Sequence, residues 1–409
     1  MKKLLIVAQQ WPEPATNAAG IRMMQLIRFF QSNHYEIHLA CAVPRTEYSL
    51  HINDVIIHEI QLNDSSFDHY VTKLKPHTVL YDRFNIEEQY GWRLRENCPE
   101  TIQLLDTEDL HFLRKAREKA FKQHAESTDF YHDDIALREI ASMYRCDISL
   151  IISEYEVELL QEHFKIPSDL LFYLPFLIEE KLLPNKSFHE RIDFIALGNL
   201  KHPPNKDSVI FLKNEIWPLI RKQLPSVNVH IYGAYADQQI TQLHSEQTGF
   251  LIKGYVEDLE TVVCDTRIML APLRYGAGLK GKLITAMQCG TPAVMTSVAA
   301  EGMYGDHPIP GFITDDIREF VQSTISLYND ASLWKEKSRE TSSILKQRFN
   351  KSEFTSALQH KLDKLEHNIT DDRLNNFIGA MLQHHSLKST KYMSKWIEEK
   401  NKDKKNHAD

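Results

Sequence analysis

Residues 267–303, RIMLAPLRYGAGLKGKLITAMQCGTPAVMTSVAAEGM, decide the fold that this sequence predicts. The apolar run at 268–271 is typical of a short buried strand, and a proline follows it directly. A tight, glycine-containing turn at 275–278 comes next, and apolar residues then recur at helical spacing until Gly-Thr-Pro at 290–292 stops the helix. Residues 293–297 form the next strand, so the stretch is one strand–helix–strand unit.

Three cations surround the glycine turn: Arg274 precedes it, and Lys280 and Lys282 lie at the start of the helix. Glycine lets a backbone approach a ligand closely, and a helix N-terminus exposes unpaired N–H groups with partial positive charge. Lysines at this position oppose the helix dipole unless an anion lies between them. We therefore expect the turn to bind an anion, and the anion expected is a diphosphate.

The same turn admits two other interpretations. Residues 276–281, GAGLKG, fit the dinucleotide pattern GxGxxG, and Glu301 lies at a suitable distance downstream. However, residues 272–275 separate the strand from the first glycine, and no dehydrogenase-like catalytic domain is arranged around the unit. The third interpretation is a purely structural turn with solvated lysines. The sequence favours phosphate binding by a different fold over both.

Residues 271–303 resemble the donor-binding segment of GT-B glycosyltransferases, specifically the retaining, family-4-like group (glycosyl transferases group 1). That group shows P-x-R-x-G-x-G-x-K-x-K, then a carboxylate, Ala, Met or Leu, a Gly-x-Pro and a strand. Two positions depart from the pattern. The carboxylate expected before Ala286 is Thr285, and the earlier glutamate of the family is Ala277. The missing carboxylate is the group that accepts hydrogen bonds from both ribose hydroxyls in the family.

The resemblance implies an α/β fold of GT-B architecture, in which two doubly wound, Rossmann-like parallel-sheet domains enclose a cleft. We expect an acceptor-side domain at 1–180, a linker at 181–191 and a nucleotide-sugar-binding domain at 192–350. We expect C-terminal helices at 351–409 to pack back on the first domain. The implied reaction proceeds with retention and needs neither metal nor cofactor, because the nucleotide-diphosphate sugar is a substrate.

The resemblance also implies roles for individual residues. Catalytic residues are His111, Arg274 and Lys282. Donor-binding residues are Gly198, Asn199, Val256, Gly276, Gly278, Lys280, Thr285 and Glu301, the last as a substitute ribose partner. Acceptor-side residues are Gly20, Arg83 and Asp109. No residue is expected to hold a metal.

Composition agrees with a two-domain soluble protein. The chain has 409 residues, 42% of them hydrophobic and 25% charged, which suffices for two cores. Its net charge of −8 argues against a nucleic-acid partner. Five scattered cysteines without a C-x-x-C pattern argue against a disulfide framework or a zinc site and favour a cytoplasmic protein. Residues 1–8 begin like a signal peptide, but the apolar run is short and favours a first strand.

The first half alternates strands and helices, which predicts a doubly wound domain with ligands at the carboxyl ends of its strands. Predicted strands are 4–8, 36–42, 54–59, 78–81, 101–105 and 149–152, and residues 171–174 are expected to close the first domain. Helices are expected at 19–31 and over 112–143, the latter broken around 128–132. The loop after the first strand ends near Gly20, for which an acceptor-side role and a plain helix start are equally consistent with the sequence.

Two further loops of the first half carry candidate residues. Arg83 follows a strand and could bind an anionic acceptor group, but an ion pair with Glu87 or Glu88 is the favoured interpretation. Residues 106–111, DTEDLH, are similar to the family loop whose histidine reaches the transferred sugar, which points to His111. Residues 106–108 also resemble a D-x-D metal motif, although capping of the next helix is favoured.

The second half repeats the pattern. Predicted strands are 194–197, 227–232, 250–253 and 311–314, and a helix is predicted at 207–222. The resemblance implies that the loop at 198–205 touches the donor diphosphate and that the turn at 254–259 reads the base. The last helix is expected at 371–400. The Lys-rich segment 388–405 is taken as a solvated helix face, with contact to an anionic membrane surface or a lipid-linked acceptor as the alternative.

These patterns together predict a glycosyltransferase that moves a sugar from a nucleotide-diphosphate sugar to a glycan, lipid-linked or other acceptor. We expect it in the cytoplasm, with peripheral contact at the inner face of the membrane as an option, and bacterial polysaccharide biosynthesis is the setting that the family suggests. Two alternatives stay open: a GT-B sugar-nucleotide epimerase, and a degenerate GT-B protein that binds a nucleotide sugar or a partner transferase without turnover.

Overall fold

The structure is a computed structural model that describes residues 1–179, 183, 186–384 and 396. Its first half contains a seven-stranded parallel sheet in the order β3-β2-β1-β4-β5-β6-β7. The strands are β1 Lys3–Ala8, β2 Glu36–Cys41, β3 Val55–Glu59, β4 Thr78–Asp82, β5 Ile102–Asp106, β6 Ile148–Ile151 and β7 Leu171–Tyr173. The central strands are mostly apolar and almost entirely buried, because helices cover both faces of the sheet.

Six helices connect these strands. They are α1 Ala18–Ser32, α2 Ser66–Leu74, α3 Phe84–Asn97, α4 His111–Gln123, α5 Asp134–Arg145 and α6 Glu154–Glu162. The long charged region divides as its sequence predicts, because the short 3-10 turn Ser127–Phe130 separates α4 from α5. Apolar residues on the two sides of the sheet form two separate cores.

The second half contains a six-stranded parallel sheet in the order β10-β9-β8-β11-β12-β13. Its strands are β8 Ile192–Leu197, β9 Val229–Tyr232, β10 Phe250–Gly254, β11 Thr266–Ala271, β12 Ala293–Met295 and β13 Gly311–Ile313. The predicted α/β fold with two doubly wound parallel-sheet units is therefore confirmed. The predicted boundaries at 180 and 192 fall between the last strand of the first sheet and the first strand of the second.

Eight helices belong to the second half. They are α7 Pro203–Phe211, α8 Trp217–Gln223, α9 Gln238–Thr241, α10 Leu259–Asp265, α11 Gly281–Gln288, α12 Ser297–Ala300, α13 Ile317–Asn329 and α14 Ala331–Arg348. A π-helical turn, Leu212–Ile216, joins α7 to α8. The helix predicted at 207–222 therefore starts four residues earlier, at Pro203, where proline is favoured because the first turn needs no N–H donor. This start brings its N-terminus to the cleft.

The chain returns to the first half through α15 Lys351–Asn375 and α16 Phe377–Gln383. Leu358, Leu362 and Leu365 of α15 are buried in a core that also contains α1, and Arg373 pairs with Asp147 at 2.7 Å. The predicted helix at 371–400 is wrong at its start, because Asn376 separates α15 from α16 and caps the second helix. Most of its remainder, and the Lys-rich segment 388–405 apart from residue 396, lies outside the described residues.

The chain passes between the two halves twice, once near Ile178 and once near Phe349, and these two segments lie side by side. The backbone N–H of Ile178 donates to the Phe349 carbonyl at 2.8 Å, and the N–H of Lys351 donates to the Ile178 carbonyl at 3.1 Å. Within the described ranges, none of the helices has the length and apolar character needed to cross a membrane. All five cysteines are free.

Candidate active site

A cavity of about 490 Å³ lies between the two halves of the molecule, where the carboxyl ends of both sheets face each other. Loops after β1, β4 and β5 supply one wall, and loops after β8, β9, β10 and β11 supply the other. Ligands of doubly wound sheets bind at this end of the strands, because the sheet edge and the helix N-termini converge there. The cavity is therefore the candidate site.

The glycine turn forms part of the second wall and lies against the first half. Gly278 has φ of 64°, and a Cβ there would lie 2.8 Å from the Cβ of Asp109. At Gly281, the first residue of α11, a Cβ would lie 2.9 Å from the Cβ of Ala18. Glycine is required at both positions because the opposing half approaches too closely for a side chain.

Lys280 and Lys282 line the cavity at the start of α11. The Lys280 ammonium is buried and donates to the carbonyls of Ala277 (3.1 Å) and Gly278. The Lys282 ammonium donates to Asn205 Oδ1 at 2.9 Å. Within the described part of the chain, neither ammonium has a carboxylate within ion-pair distance. Buried Lys280 and partly buried Lys282 therefore have no ion-pair partner among the described residues, although both lie beside a helix N-terminus.

The environment of Lys282 lowers the pKa of its ammonium to about 7. Loss of solvent is the larger cause, and the neighbouring charge of Lys280 adds to it. Burial also lowers the pKa of Lys280. An anion placed between the two side chains would remove this penalty, so the electrostatics of the site favour a ligand with negative charge.

The loop after β8 brings Gly198, Asn199 and Asn205 to the same part of the cavity. Asn205 lies in the first turn of α7, and its Nδ2 donates to the Asn199 carbonyl at 3.0 Å. A Cβ at Gly198 would lie 2.5 Å from Asn205 Cγ, so the glycine makes room for this side chain. Asn205 was not among the predicted site residues, although its place near a helix start beside a glycine loop is a usable signal.

The opposite wall carries His111 at the start of α4, together with Asp109 and Arg114. Arg114 pairs with Asp109, and His111 Nε2 lies 3.5 Å from Asp109 Oδ1. Burial opposes ionisation of Asp109, but Arg114 and His111 outweigh it and hold the pKa of this carboxyl below its usual value. His202, from the second half, faces the same group.

Both cavity histidines are neutral at physiological pH. Burial lowers the pKa of His111 to about 3, and it lowers the pKa of His202 to about 4 with help from the charge of Arg114. A neutral imidazole can both donate and accept a hydrogen bond. His111 is therefore suited to bind a hydroxyl of a ligand in the cavity.

Arg83 also lines this wall, at a left-handed backbone position with φ of 75°. Its Nη1 donates to Gln9 Oε1 at 2.7 Å, and its Nε lies 3.4 Å from Asp82 Oδ1. The favoured pairing with Glu87 or Glu88 is wrong. Glu87 is fully buried against Arg95 and Arg145, and Glu88 binds Arg138, so these carboxylates have other partners.

Two residues of the D-x-D-like triplet bind partners within the first half of the chain. Asp106 is fully buried and accepts from Arg22 Nε at 2.8 Å, while the Thr107 hydroxyl donates to the Leu150 carbonyl at 3.1 Å. Among the residues described, no cluster of His, Cys, Asp and Glu could hold an ion. The capping alternative is also wrong, because Glu139 accepts from the N–H groups of His111 and Phe112 at the start of α4.

Three predicted site residues lie outside the cavity. Gly20 is buried within α1, where a Cβ would lie 2.4 Å from the Glu13 backbone, so this glycine serves helix packing. The neighbouring residues Thr16, Asn17 and Ala18 line the cavity instead.

Arg274 and Glu301 line a separate cavity of about 600 Å³ on the other side of the glycine turn. Asp207 accepts two hydrogen bonds from Arg274 (2.9 and 2.5 Å), and the guanidinium lies between the rings of Phe121 and Phe211. Glu301 accepts two hydrogen bonds from Arg117, at 2.8 and 2.7 Å. Both groups are therefore bound to other partners, away from the diphosphate position expected for Arg274 and from the ribose position expected for Glu301.

Two contacts from the first half hold the glycine turn. Glu156 of α6 is fully buried, and its Oε1 accepts from the N–H of Gly278 at 2.8 Å and of Leu110 at 3.1 Å. Arg117 donates to the Gly276 carbonyl at 2.8 Å. Burial raises the pKa of Glu156 to about 7. These partners are 122 and 159 residues apart in the chain, so no local pattern reveals them.

An aromatic contact closes the cleft at another place. The ring of Tyr48, from the first half, lies 4.9 Å from that of Tyr255 and 5.3 Å from that of Tyr235. The Tyr235 hydroxyl donates to Glu13 Oε2 at 2.9 Å. The two halves therefore meet in a closed arrangement around the cavity.

Thr285 lines the cavity one turn into α11, and Val256 and Leu259 line the same cavity. Its hydroxyl donates to the Gly281 carbonyl at 3.2 Å, a bond within the helix. The side chain therefore retains acceptor capacity but has committed its proton. The carboxylate of the family pattern is absent from this position.

Comparisons with known proteins agree with the fold. Residues 191–330 match the family model described as Glycosyl transferases group 1. A curated protein of Klebsiella pneumoniae, called uncharacterized 44.6 kDa protein in cps region, is 23% identical over 219 residues. That match covers 52% of this chain and 55% of the relative, so the chain spans about half the length of that protein.

Solved GT-B structures superpose over most of the chain. Sucrose-phosphate synthase from Thermosynechococcus elongatus gives a TM-score of 0.67 at 12% identity, over 89% of this chain and 99% of that one. A TarM mutant from S. aureus, in complex with fondaparinux, alpha-GlcNAc-glycerol and UDP, gives 0.68 at 10% identity, over 90% and 100%. Anabaena HepE in complex with UDP and glucose gives 0.67 at 13% identity, over 89% and 100%.

The two facing parallel-sheet domains, with a cavity where their strands end, have the GT-B fold that the chain shares with these solved structures. Its second domain carries the segment described as Glycosyl transferases group 1.

Proposed function

We propose that this protein transfers a sugar from a nucleotide-diphosphate sugar to a glycan or lipid-linked acceptor, with retention and without a metal. The observation that carries the proposal is the pair of ammonium groups at the N-terminus of α11, buried Lys280 and partly buried Lys282. A diphosphate placed there would gain two cations and the free N–H groups of the helix.

The reaction breaks the bond between the anomeric carbon and the phosphate oxygen, so negative charge grows on the leaving diphosphate. Groups that bind this charge more strongly in the transition state than in the ground state lower the barrier. Lys282 fits this role because its pKa of about 7 rises when an anion approaches, which strengthens the interaction as charge develops. Two ammonium groups supply the positive charge that a metal ion would otherwise supply.

Retention requires that the acceptor oxygen approaches the same face of the sugar that the diphosphate leaves. A new bond then forms between the acceptor oxygen and the anomeric carbon, and the acceptor proton passes to the departing phosphate oxygen. Neutral His111, across the cavity, is assigned to a hydroxyl of the transferred sugar. Arg83 and Asp109 line the acceptor side of the same wall.

Burial in the closed cleft strengthens each of these contacts because it removes competing water. The halves are joined around the cavity by Glu156 with Gly278, by Arg117 with Gly276, and by the tyrosine cluster. Substrate exchange therefore requires the halves to separate, and we assign the closed arrangement to the transfer step.

A glycan or lipid-linked acceptor is supported by the relatives alone. The Klebsiella relative is named for a cps region, and the TarM structure carries a GlcNAc-glycerol ligand. We propose a role in bacterial polysaccharide biosynthesis, in the cytoplasm or at the inner face of the membrane. Near the C-terminus, α15 and α16 expose Leu374, Phe377, Ile378 and Met381, which would suit peripheral contact with a lipid surface.

The test is turnover by the full chain with a panel of nucleotide sugars and a bacterial lipid-linked saccharide extract. We expect release of the nucleoside diphosphate together with a product that keeps the anomeric configuration of the donor, seen by NMR. Conversion of the sugar nucleotide without an acceptor would instead support an epimerase. Binding of nucleotide sugars without release, over the whole panel, would support the degenerate GT-B protein.

A further inference from the structure

The nucleoside of a bound donor would lie against the middle of α11. Its diphosphate is assigned to the helix N-terminus at Gly281 and Lys282, and its base to the turn after β10, at Tyr255 and Val256. The sugar ring of the nucleoside connects these two groups, so it must cross the space between them. Thr285 lies in that space, one helical turn beyond Gly281.

The cavity that Thr285 lines is partly apolar. Leu197, Val256 and Leu259 line the same cavity, and Leu197 is 7% exposed. The hydroxyl proton of Thr285 is committed to the Gly281 carbonyl, so this side chain can accept a hydrogen bond from a ligand but cannot donate one. Among the residues of α11 that line the cavity, Thr285 therefore offers the single side-chain acceptor atom, and this oxygen is uncharged.

No other carboxylate replaces the missing one. Of the described residues that line the cavity, Glu108 and Asp109 alone carry carboxyl groups, and both belong to the opposite wall. Asp109 is engaged by Arg114. Glu301, the substitute expected from the sequence, binds Arg117 on the other side of the glycine turn.

A ribose presents two neighbouring hydroxyls, whereas a 2′-deoxyribose presents only the 3′-hydroxyl. A hydroxyl buried without a partner costs free energy, so a site with one acceptor discriminates against the second hydroxyl. We propose that the donor of this protein is a 2′-deoxyribonucleoside diphosphate sugar, with Thr285 as the residue that sets this specificity. The inference rests on the proposed function, because it needs a diphosphate at the start of α11.

Matched pairs of nucleotides isolate the 2′-hydroxyl. The full chain is titrated calorimetrically with the diphosphates of uridine, cytidine, adenosine and guanosine, each beside its 2′-deoxy counterpart, and with thymidine diphosphate. In the pair that contains the tightest ligand, we expect the deoxy member to bind about tenfold more tightly, the ratio typical of one unpaired buried hydroxyl. Inorganic pyrophosphate is titrated in parallel as a probe of the diphosphate position alone.

Two variants test the role of Thr285. Thr285→Glu restores an acceptor for both hydroxyls, so we expect the preference to reverse toward the ribose member. Thr285→Val keeps the shape and removes the acceptor, so both members should bind a few-fold more weakly while their ratio is retained. Wild-type binding that is equal for both members, or tighter for ribose, overturns the inference and leaves the proposed function standing. If neither pyrophosphate nor any nucleotide binds, the proposed function is wrong as well.

Discussion

Replacing Lys282 by methionine should make the protein more stable and nearly inactive. Methionine keeps much of the side-chain length but carries no charge. The fall of the Lys282 pKa from 10.5 to about 7 corresponds to roughly 5 kcal/mol if converted in full. The side chain keeps part of its contact with solvent, which screens the charge, so we expect a gain of about 2 kcal/mol in unfolding free energy at pH 6.5.

The free energy of unfolding of the wild type should depend on pH in a direction that follows from the lowered pKa of Lys282. The folded pKa of Lys282 lies below the unfolded value, so the unfolded state binds more protons between about pH 7 and 10.5. The cost of the charged lysine is therefore fully present below pH 7 and disappears as the pH rises toward 10.5. The difference in stability between wild type and Lys282→Met should shrink over the same interval.

The rate of sugar transfer by Lys282→Met should fall, although the stability of the variant rises. Loss of one group that stabilises the leaving charge typically lowers turnover by roughly 10²–10³-fold. The assay combines chemical denaturation at pH 6.5 and 9.5 with nucleotide release at saturating donor. Lys335→Met, on the exposed surface of α14, is the matched control and should change neither quantity. A variant that is less stable than wild type at pH 6.5, or that turns over normally, would refute the assigned role of Lys282.

Three further outcomes are expected. Arg274→Ala should lower turnover much less than Lys282→Met, because Asp207 and two aromatic rings already hold this guanidinium outside the cavity; equal losses in kcat would contradict that placement. Transfer should survive EDTA, and complete loss that Mn²⁺ or Mg²⁺ restores would contradict the role given to the lysines. Glu156→Ala should weaken closure and raise KM by about 5- to 100-fold, since a buried hydrogen bond across the domains is lost, whereas exposed Glu158→Ala on the same helix should not.

The sequence was sufficient for the fold because its signals are local. In both sheets, short apolar runs form buried strands, as residues 268–271 do in the second sheet. Glycines mark the turn that follows this strand. The positions of Lys280 and Lys282 follow from the same reasoning, since residues next to a glycine turn and a helix start must lie near the strand ends. Helix limits were less accurate, as the break at Asn376 shows, because a single capping side chain decides them.

The errors concern residues whose neighbours come from distant parts of the chain. Arg274 is a cation in the loop that carries the glycine turn, as a diphosphate ligand requires. Its guanidinium instead contacts Asp207 and Phe121, which belong to two other helices. Glu156 gave no signal, because its importance depends on the Gly278 N–H across the cleft. Charge and spacing in the sequence were therefore enough to predict where a diphosphate would bind. The directions in which Arg274 and Glu156 point could be seen only in the assembled domains.

The central claim is that a nucleoside diphosphate binds at the start of α11. The most direct test is a crystal structure of the full chain soaked with the nucleoside diphosphate that binds most tightly in the calorimetric panel. We predict phosphate oxygens within about 3 Å of Lys282 Nζ and of the first N–H groups of α11. The claim would be contradicted by a ligand bound instead in the cavity lined by Arg117, Arg274 and Glu301, with Lys282 Nζ still hydrogen-bonded to Asn205 Oδ1.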